Sequence, residues 1–171
     1  MKLSSLALMA VFVSASAMAD ESMRPIARSG DWIAFAHSET MIAKPDVCVA
    51  ASMPSGVALR SGEDEIQLRV VDQKWSLPTG VSGSVTISVG VWSKSIDIDD
   101  NTDTTISVVL PPDIYAPMFE AMDKASTMLV TVGKAKPINV SLAGSTKVTN
   151  AFRTCAGISG GAKSGGANPF E

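Results

Sequence analysis

The sequence predicts a mainly β protein, an antiparallel β-sandwich or partly closed barrel carrying two short helices and one disulfide. Three observations lead there. Several short segments alternate apolar and polar residues with a period of two, clusters of Gly, Pro, Asn and Asp separate them, and only two stretches show helical spacing. Successive side chains of a strand point to opposite faces, so strict alternation marks one buried and one solvated face. At least seven such segments joined by turn signals are what an antiparallel sheet system requires.

Residues Asp20 to Ser29 are polar, contain Pro25 and read as a flexible lead-in. Gly30-Asp31 then opens the first strand, Trp32-Ile33-Ala34-Phe35-Ala36, on which Trp32 is expected to be buried. Val47-Cys48-Val49-Ala50-Ala51 lies between Pro45 and Pro54, which confines it to a short strand. In Glu65 to Val70, Ile66, Leu68 and Val70 share one face while Glu65, Gln67 and Arg69 share the other. A loop carrying Trp75 and Leu77-Pro78-Thr79-Gly80 follows. Val85, Ile87 and Val89 alternate with hydroxyl residues in the next strand, Ser84 to Val89, which Gly90 ends. Ser95 to Ile98 and Thr104 to Leu110 flank Asp99-Asp100-Asn101-Thr102, a polar hairpin tip. Thr127 to Val132 and Ile138 to Leu142 form the last strand pair, around Gly133 to Pro137.

Two stretches break the period. Pro117 to Lys124 places Met118, Ala121 and Met122 at helical spacing, with Pro117 suited to the first helical position because its missing N–H costs nothing there. Ser145-Thr146 caps a second predicted helix in which Val148, Ala151, Phe152 and Cys155 recur at i, i+3, i+4 and i+7. From Ser159 to Glu171 the chain is rich in Gly, Ala and Ser, a composition that buries too little apolar surface to offset ordering. The domain organisation read from the sequence is therefore a leader over 1–19, a lead-in over 20–29, one β-rich domain over 30–158 and a flexible Gly-rich tail over 159–171.

The leader assigns a compartment. Lys2, the apolar run Leu3 to Val13 and the small-residue sequence Ala17-Met18-Ala19 have the layout of a secretory signal peptide, cleaved after Ala19. The apolar run falls short of the roughly 20 residues that span a bilayer, and no later segment is long and apolar enough either. A periplasmic or secreted protein is expected. In an oxidising compartment, Cys48 and Cys155, the only two cysteines, are expected to pair. The bridge would staple the last helix to an early strand.

Charge and motifs exclude several functions. With 14 Lys and Arg against 17 Asp and Glu the chain carries a net charge of -3, one unit lower once Lys2 is removed, so no basic field exists to hold nucleic acid. Two cysteines and one histidine cannot build a Cys/His zinc site. His37 stands beside Ser38 and Glu39 with no Gly-x-Ser-x-Gly elbow in the chain, and reads as an edge-strand histidine without a catalytic relay. Asp97, Asp99, Asn101 and Asp103 copy the front half of an EF-hand loop, but Thr102 replaces the needed Gly and Val108 the closing Glu, so a solvated acidic tip is expected and no metal site. No glycine-rich phosphate loop opens a helix, and no cofactor is expected. The candidate contact residues are Trp75, Leu77 and Pro78, an aromatic in a Pro/Gly loop.

Gly30-Asp31-Trp32, then Cys48, the run Val85 to Val89 before Gly90, Ala121-Met122-Asp123-Lys124-Ala125-Ser126-Thr127-Met128 leading into a strand, and Val140-Ser141-Leu142-Ala143-Gly144 leading into a helix that ends in Cys155 occur in that order. Over about residues 30–158 this resembles the invasion-associated locus B family, small secreted proteins of alphaproteobacteria. The resemblance implies an extracytoplasmic β-sandwich-like domain without catalytic residues, linked in some members to host invasion or envelope function. The chain departs from the family pattern in the Val71 to Ser82 loop and in its tail. The resulting expectation is a non-enzymatic binding protein whose partner is a protein or envelope component. The alternative is a periplasmic inhibitor of a lysozyme or other hydrolase, loosely suggested by Ser82-Gly83-Ser84. A carboxylate-based enzyme is the third reading, with no assembled site in the sequence to support it.

Overall fold

The computed structural model describes residues 23–39, 43–62 and 65–158. The predicted leader and the Gly-rich tail lie outside the described residues. The chain runs β1 (Arg24–Ser29), β2 (Trp32–His37), β3 (Val47–Ser52), β4 (Val57–Gly62), β5 (Glu65–Val71), β6 (Ser84–Val89), β7 (Trp92–Asp97), β8 (Asp100–Asn101), β9 (Thr105–Val109), α1 (Pro112–Met122), β10 (Thr127–Val132), β11 (Ile138–Ser141) and α2 (Ser145–Cys155). Two antiparallel sheets form a sandwich-like arrangement. The larger has the order β1-β2-β3-β4-β5-β9-β8 and the smaller β11-β10-β6-β7; neither closes into a barrel.

Alternation decides which face each strand buries. Trp32, Ala34, Cys48, Ala50, Val57, Leu59, Leu68 and Val70 point inward from the large sheet, and Val85, Ile87, Val89, Met128, Val130 and Val140 from the small one, into one core. The layer opposite the large sheet is composite. The small sheet supplies part of it and α2 the rest, lying against β1, β2 and β3 with Val148 and Phe152 fully buried. Helix α1 packs on β6, β7 and α2 through Met118, Phe119 and Met122. Between the helices, the Phe119 and Phe152 rings stand 6.3 Å apart, Arg153 lies 5.1 Å over the Phe119 ring, and its guanidinium reaches Asp123 at 3.4 Å. The disulfide joins Cys48 to Cys155, with Cα atoms 6.1 Å apart, and ties β3 to the end of α2.

Several expectations are corrected. The lead-in is structured from Arg24 onward: β1 pairs with β2, with a register shift between Pro25 and Ala27. An edge strand tolerates Pro25, and its only large apolar residue is Ile26, so the alternation signal is faint. Strand β4 was not foreseen; Val57 and Leu59 alternate with Ala58 and Arg60, and the small side chain of Ala58 blurs the contrast. Ser95 to Ile98 and Thr104 to Leu110 are not partners. β7 pairs with β6 in the small sheet, β9 with β5 in the large one, and the chain crosses between sheets at Ile98-Asp99. Asp100-Asn101 folds back on Ile106-Ser107, so the tip is its own small hairpin.

Both helix starts also differ. Helix α1 begins at Pro112, where the fixed φ of Pro111-Pro112 sets up the first turn, and Pro117 lies inside the helix. At α2 the cap is Gly144, with φ +82° and no side-chain cap bond. A Cβ at Gly144 would stand 2.7 Å from the Ser29 carbonyl oxygen, so the close approach of β1 decides this residue. The hydroxyl of Ser145, expected to cap, is buried without a partner.

Candidate functional site

At the end of the sandwich where the disulfide lies, four segments remote in sequence converge on a cleft of about 720 Å³. Its disulfide comes from the start of β3 and the end of α2, and Ile66 and Leu110 from β5 and the segment after β9. The backbone N–H of Leu110 donates to the Ile66 carbonyl at 2.7 Å, extending the β5–β9 ladder to the cleft. Pro45, Pro111, Pro112 and the half-buried Tyr115 form much of the wall, with Lys44, Asp46 and Glu65 also lining it. Ring-constrained and apolar walls lose little conformational entropy when a ligand docks against them.

One lining carboxylate, Asp46, is paired with His37, which stands at the end of β2 outside the cleft lining. His37 Nδ1–H donates to Asp46 Oδ1 at 2.8 Å, the Val47 amide donates to the same oxygen at 2.8 Å, and the Asp46 amide donates to the His37 carbonyl at 3.1 Å. These three bonds close the loop that carries Lys44 and Pro45. The hydrogen bond from His37 holds the Asp46 carboxyl below its ordinary pKa. An Asp–His pair is the orienting half of a nucleophile-activating relay. Here Ser38 Oγ is buried without a hydrogen-bond partner and Ser61 Oγ accepts from the Cys48 amide at 3.2 Å, so neither hydroxyl joins the pair. Among the described residues no group of three or more His, Cys, Asp and Glu is placed to hold a metal ion, and no helix is long and apolar enough to cross a membrane.

The predicted contact loop lies elsewhere. Glu65 and Val71 are opposite ends of β5; the cleft is at the first and the 72–82 loop leaves from the second, about 20 Å away at strand rise. Trp75 and Leu77 are partly buried against the core while Pro78 is exposed. Asn101 pins this loop: its side-chain oxygen accepts from the Gly80 and Val81 amides at 3.1 and 3.0 Å, and its NH₂ donates to the Pro78 and Thr102 carbonyls at 2.9 and 3.0 Å. The acidic cluster is dispersed by the same geometry, since Asp97 belongs to the small sheet and Asp100 to the large one.

Of the predicted site residues, the structure brings Cys48 and Cys155 into the cleft and leaves Trp75, Leu77 and Pro78 outside it. Tyr115, Pro45 and Pro111-Pro112 were not foreseen, because the cleft exists only once distant segments meet. In comparisons with known proteins the chain matches no family model, no curated protein and no solved structure.

Proposed function

We propose that this chain is a non-enzymatic binding protein that acts outside the cytoplasm, periplasmic or secreted, and holds a protein or envelope component in the disulfide-end cleft. The observation that carries this reading is the cleft itself: an open, largely apolar concavity walled by three prolines and Tyr115, with Lys44, Asp46 and Glu65 among its lining. The disulfide supports the compartment, since such bonds persist where thiols are not kept reduced. The order of motifs, which resembles that of the invasion-associated locus B family, supports the same reading, and a signal peptide over 1–19 belongs to it.

The test is capture of partners from envelope extract and culture supernatant by the tagged full-length chain and by its Tyr115→Glu variant. A saturable partner retained by the parent and lost by the variant is expected. Equal capture by both, or recovery of the bait alone, overturns the assignment to this cleft. N-terminal sequencing of the exported protein is expected to begin at Asp20, and an intact Met1 overturns the compartment.

A further inference from the structure

The large sheet has a second apolar surface, on the face turned away from the core. Strands β2, β3 and β4 send Ile33, Phe35, Val47, Val49, Ala51 and Ala58 to that side, all only partly buried. None of them belongs to the core or to the apolar residues packed against it. Register makes them contiguous: Phe35 is opposite Val49, and Ile33 is opposite Ala51, which is opposite Ala58. Helix α2 is stapled through Cys48, an inward residue, and α1 rests on β6, β7 and α2, so no described helix covers this side. An antiparallel sheet that faces water places polar residues outward. Strand β5 places the polar residues Glu65, Gln67 and Arg69 on this side, although Gln67 is itself buried, whereas β2 and β3 place apolar ones there. A contiguous apolar surface rimmed by polar groups is the signature of an interaction site.

Arginines stand on both sides of the apolar rows, with Glu65 and Asp100 beyond them on the β5 side. Arg28 is opposite Ile33 at one margin, while Arg60 is opposite Val49 and Arg69 opposite Ala58 at the other. Arg28 and Arg69 are four strand spacings apart, about 19 Å. Among the described residues none of the three has an ion-pair partner within 4.0 Å. Arg69 Nε donates to Gln67 Oε1 at 3.1 Å, and Gln67 in turn donates to Glu65. Burial and the nearby Arg60 disfavour the charge on Arg69, while Asp100 and Glu65 favour it.

We infer that the outward face of β2, β3 and β4 is a docking surface for a protein partner that presents apolar side chains flanked by carboxylates. Charge placement argues against the other occupants. A two-fold axis through the middle of the patch would set Arg28 of one copy against Arg60 and Arg69 of the other, which repels. A bilayer is held by projecting apolar side chains and many cations, whereas these side chains lie half-sunk in a sheet of an acidic chain. The inference does not rest on the cleft reading.

The test places a photo-cross-linking phenylalanine analogue at Val49 in the full-length chain, with the same substitution at Ser93 on the outer face of the small sheet as control, in cells that naturally export the protein. A saturable adduct through position 49 is expected, mapping to an acidic segment of the partner. Arg60→Glu is expected to lower its yield about tenfold, with added salt weakening it as an independent reading should the variant fold poorly, while Tyr115→Glu leaves it unchanged. An adduct between two copies of this chain, an adduct to phosphatidylglycerol vesicles, loss of the adduct in Tyr115→Glu, or a yield no higher than at Ser93 each overturns the proposal.

Discussion

Trp32 Nε1 donates to the main-chain carbonyl oxygen of Ser141 across 2.7 Å, joining a strand of the large sheet to the edge strand of the small one. The indole is 1% exposed, so its N–H has no access to water and this bond is the way it is satisfied. Trp32→Phe removes the donor and leaves a void. A loss of about 1–3 kcal/mol is expected in denaturant melts, from an unmade hydrogen bond plus lost packing.

The Cys48–Cys155 bridge spans a sequence separation of 107 residues. In the chain-entropy account a loop of this size contributes about 4.7 kcal/mol by restricting the unfolded chain. Cys48→Ser and Cys155→Ser are each expected to lower the unfolding midpoint by the same amount as adding reductant to the parent. Reductant should then have no further effect on either variant. Unchanged midpoints in the single variants would contradict a stabilising bridge.

Gly56 and Gly90 separate two costs. Both adopt left-handed backbone, with φ +68° and +56°, but a Cβ at Gly56 would stand 2.2 Å from the Val71 carbonyl oxygen while one at Gly90 meets nothing within 4 Å. Gly90→Ala is expected to cost about 1–2 kcal/mol from backbone conformation alone. Gly56→Ala should cost clearly more in the same melts, because the turn between β3 and β4 must separate from β5.

Asp46 gives a pH dependence whose sign follows from its depressed pKa. The hydrogen bond from His37 holds the folded-state value below that of an ordinary aspartate. Its stabilising contribution is therefore present above that value and is lost as pH falls through the lower folded value. Asp46→Asn is expected to lower the thermal midpoint at neutral pH, with the difference from the parent vanishing toward strongly acidic conditions. A difference that grew on acidification would contradict the arrangement.

Asn101 uses both its oxygen and its amide nitrogen to fix the loop that carries Trp75. Asn101→Asp keeps the acceptor for Gly80 and Val81 but turns a carboxylate toward the Pro78 and Thr102 carbonyls. A cost of about 1–2 kcal/mol is expected, together with faster hydrogen exchange of the Gly80 and Val81 amides.

Local patterns made much of this fold readable. Ile66, Leu68 and Val70, or Val85, Ile87 and Val89, declare a strand because every second residue is large and apolar. Val148 and Phe152 declare the buried face of α2, and a chain with two cysteines leaves one pairing. The failures have a common cause. In β1 and β4 the alternating residues are small or interrupted by proline, so periodicity loses contrast. Sheet membership was unreadable for β7 and β9, since strand pairing is a long-range choice that neither segment encodes alone. The cleft was illegible for the same reason: Tyr115 and Pro45 acquire a shared role only when helix α1 and the segment before β3 reach one end of the sandwich. The outward face could have been noticed, because β2 and β3 carry apolar residues such as Phe35 and Val49 at both parities, where a half-solvated strand would alternate.

The covalent link between β3 and α2 also sets how this molecule would bear tension. Pulled from its two ends, the chain passes force from β1 and β2 into Cys48, across the sulfur atoms, and out at Cys155. The hairpins of the small sheet, the Asn101 loop and helix α1 all lie within the bypassed segment and carry no load. At about 3.3 Å per extended residue, roughly 350 Å of chain stays locked however far the ends are drawn. Force spectroscopy would register that hidden length as extension released only in the presence of a reductant.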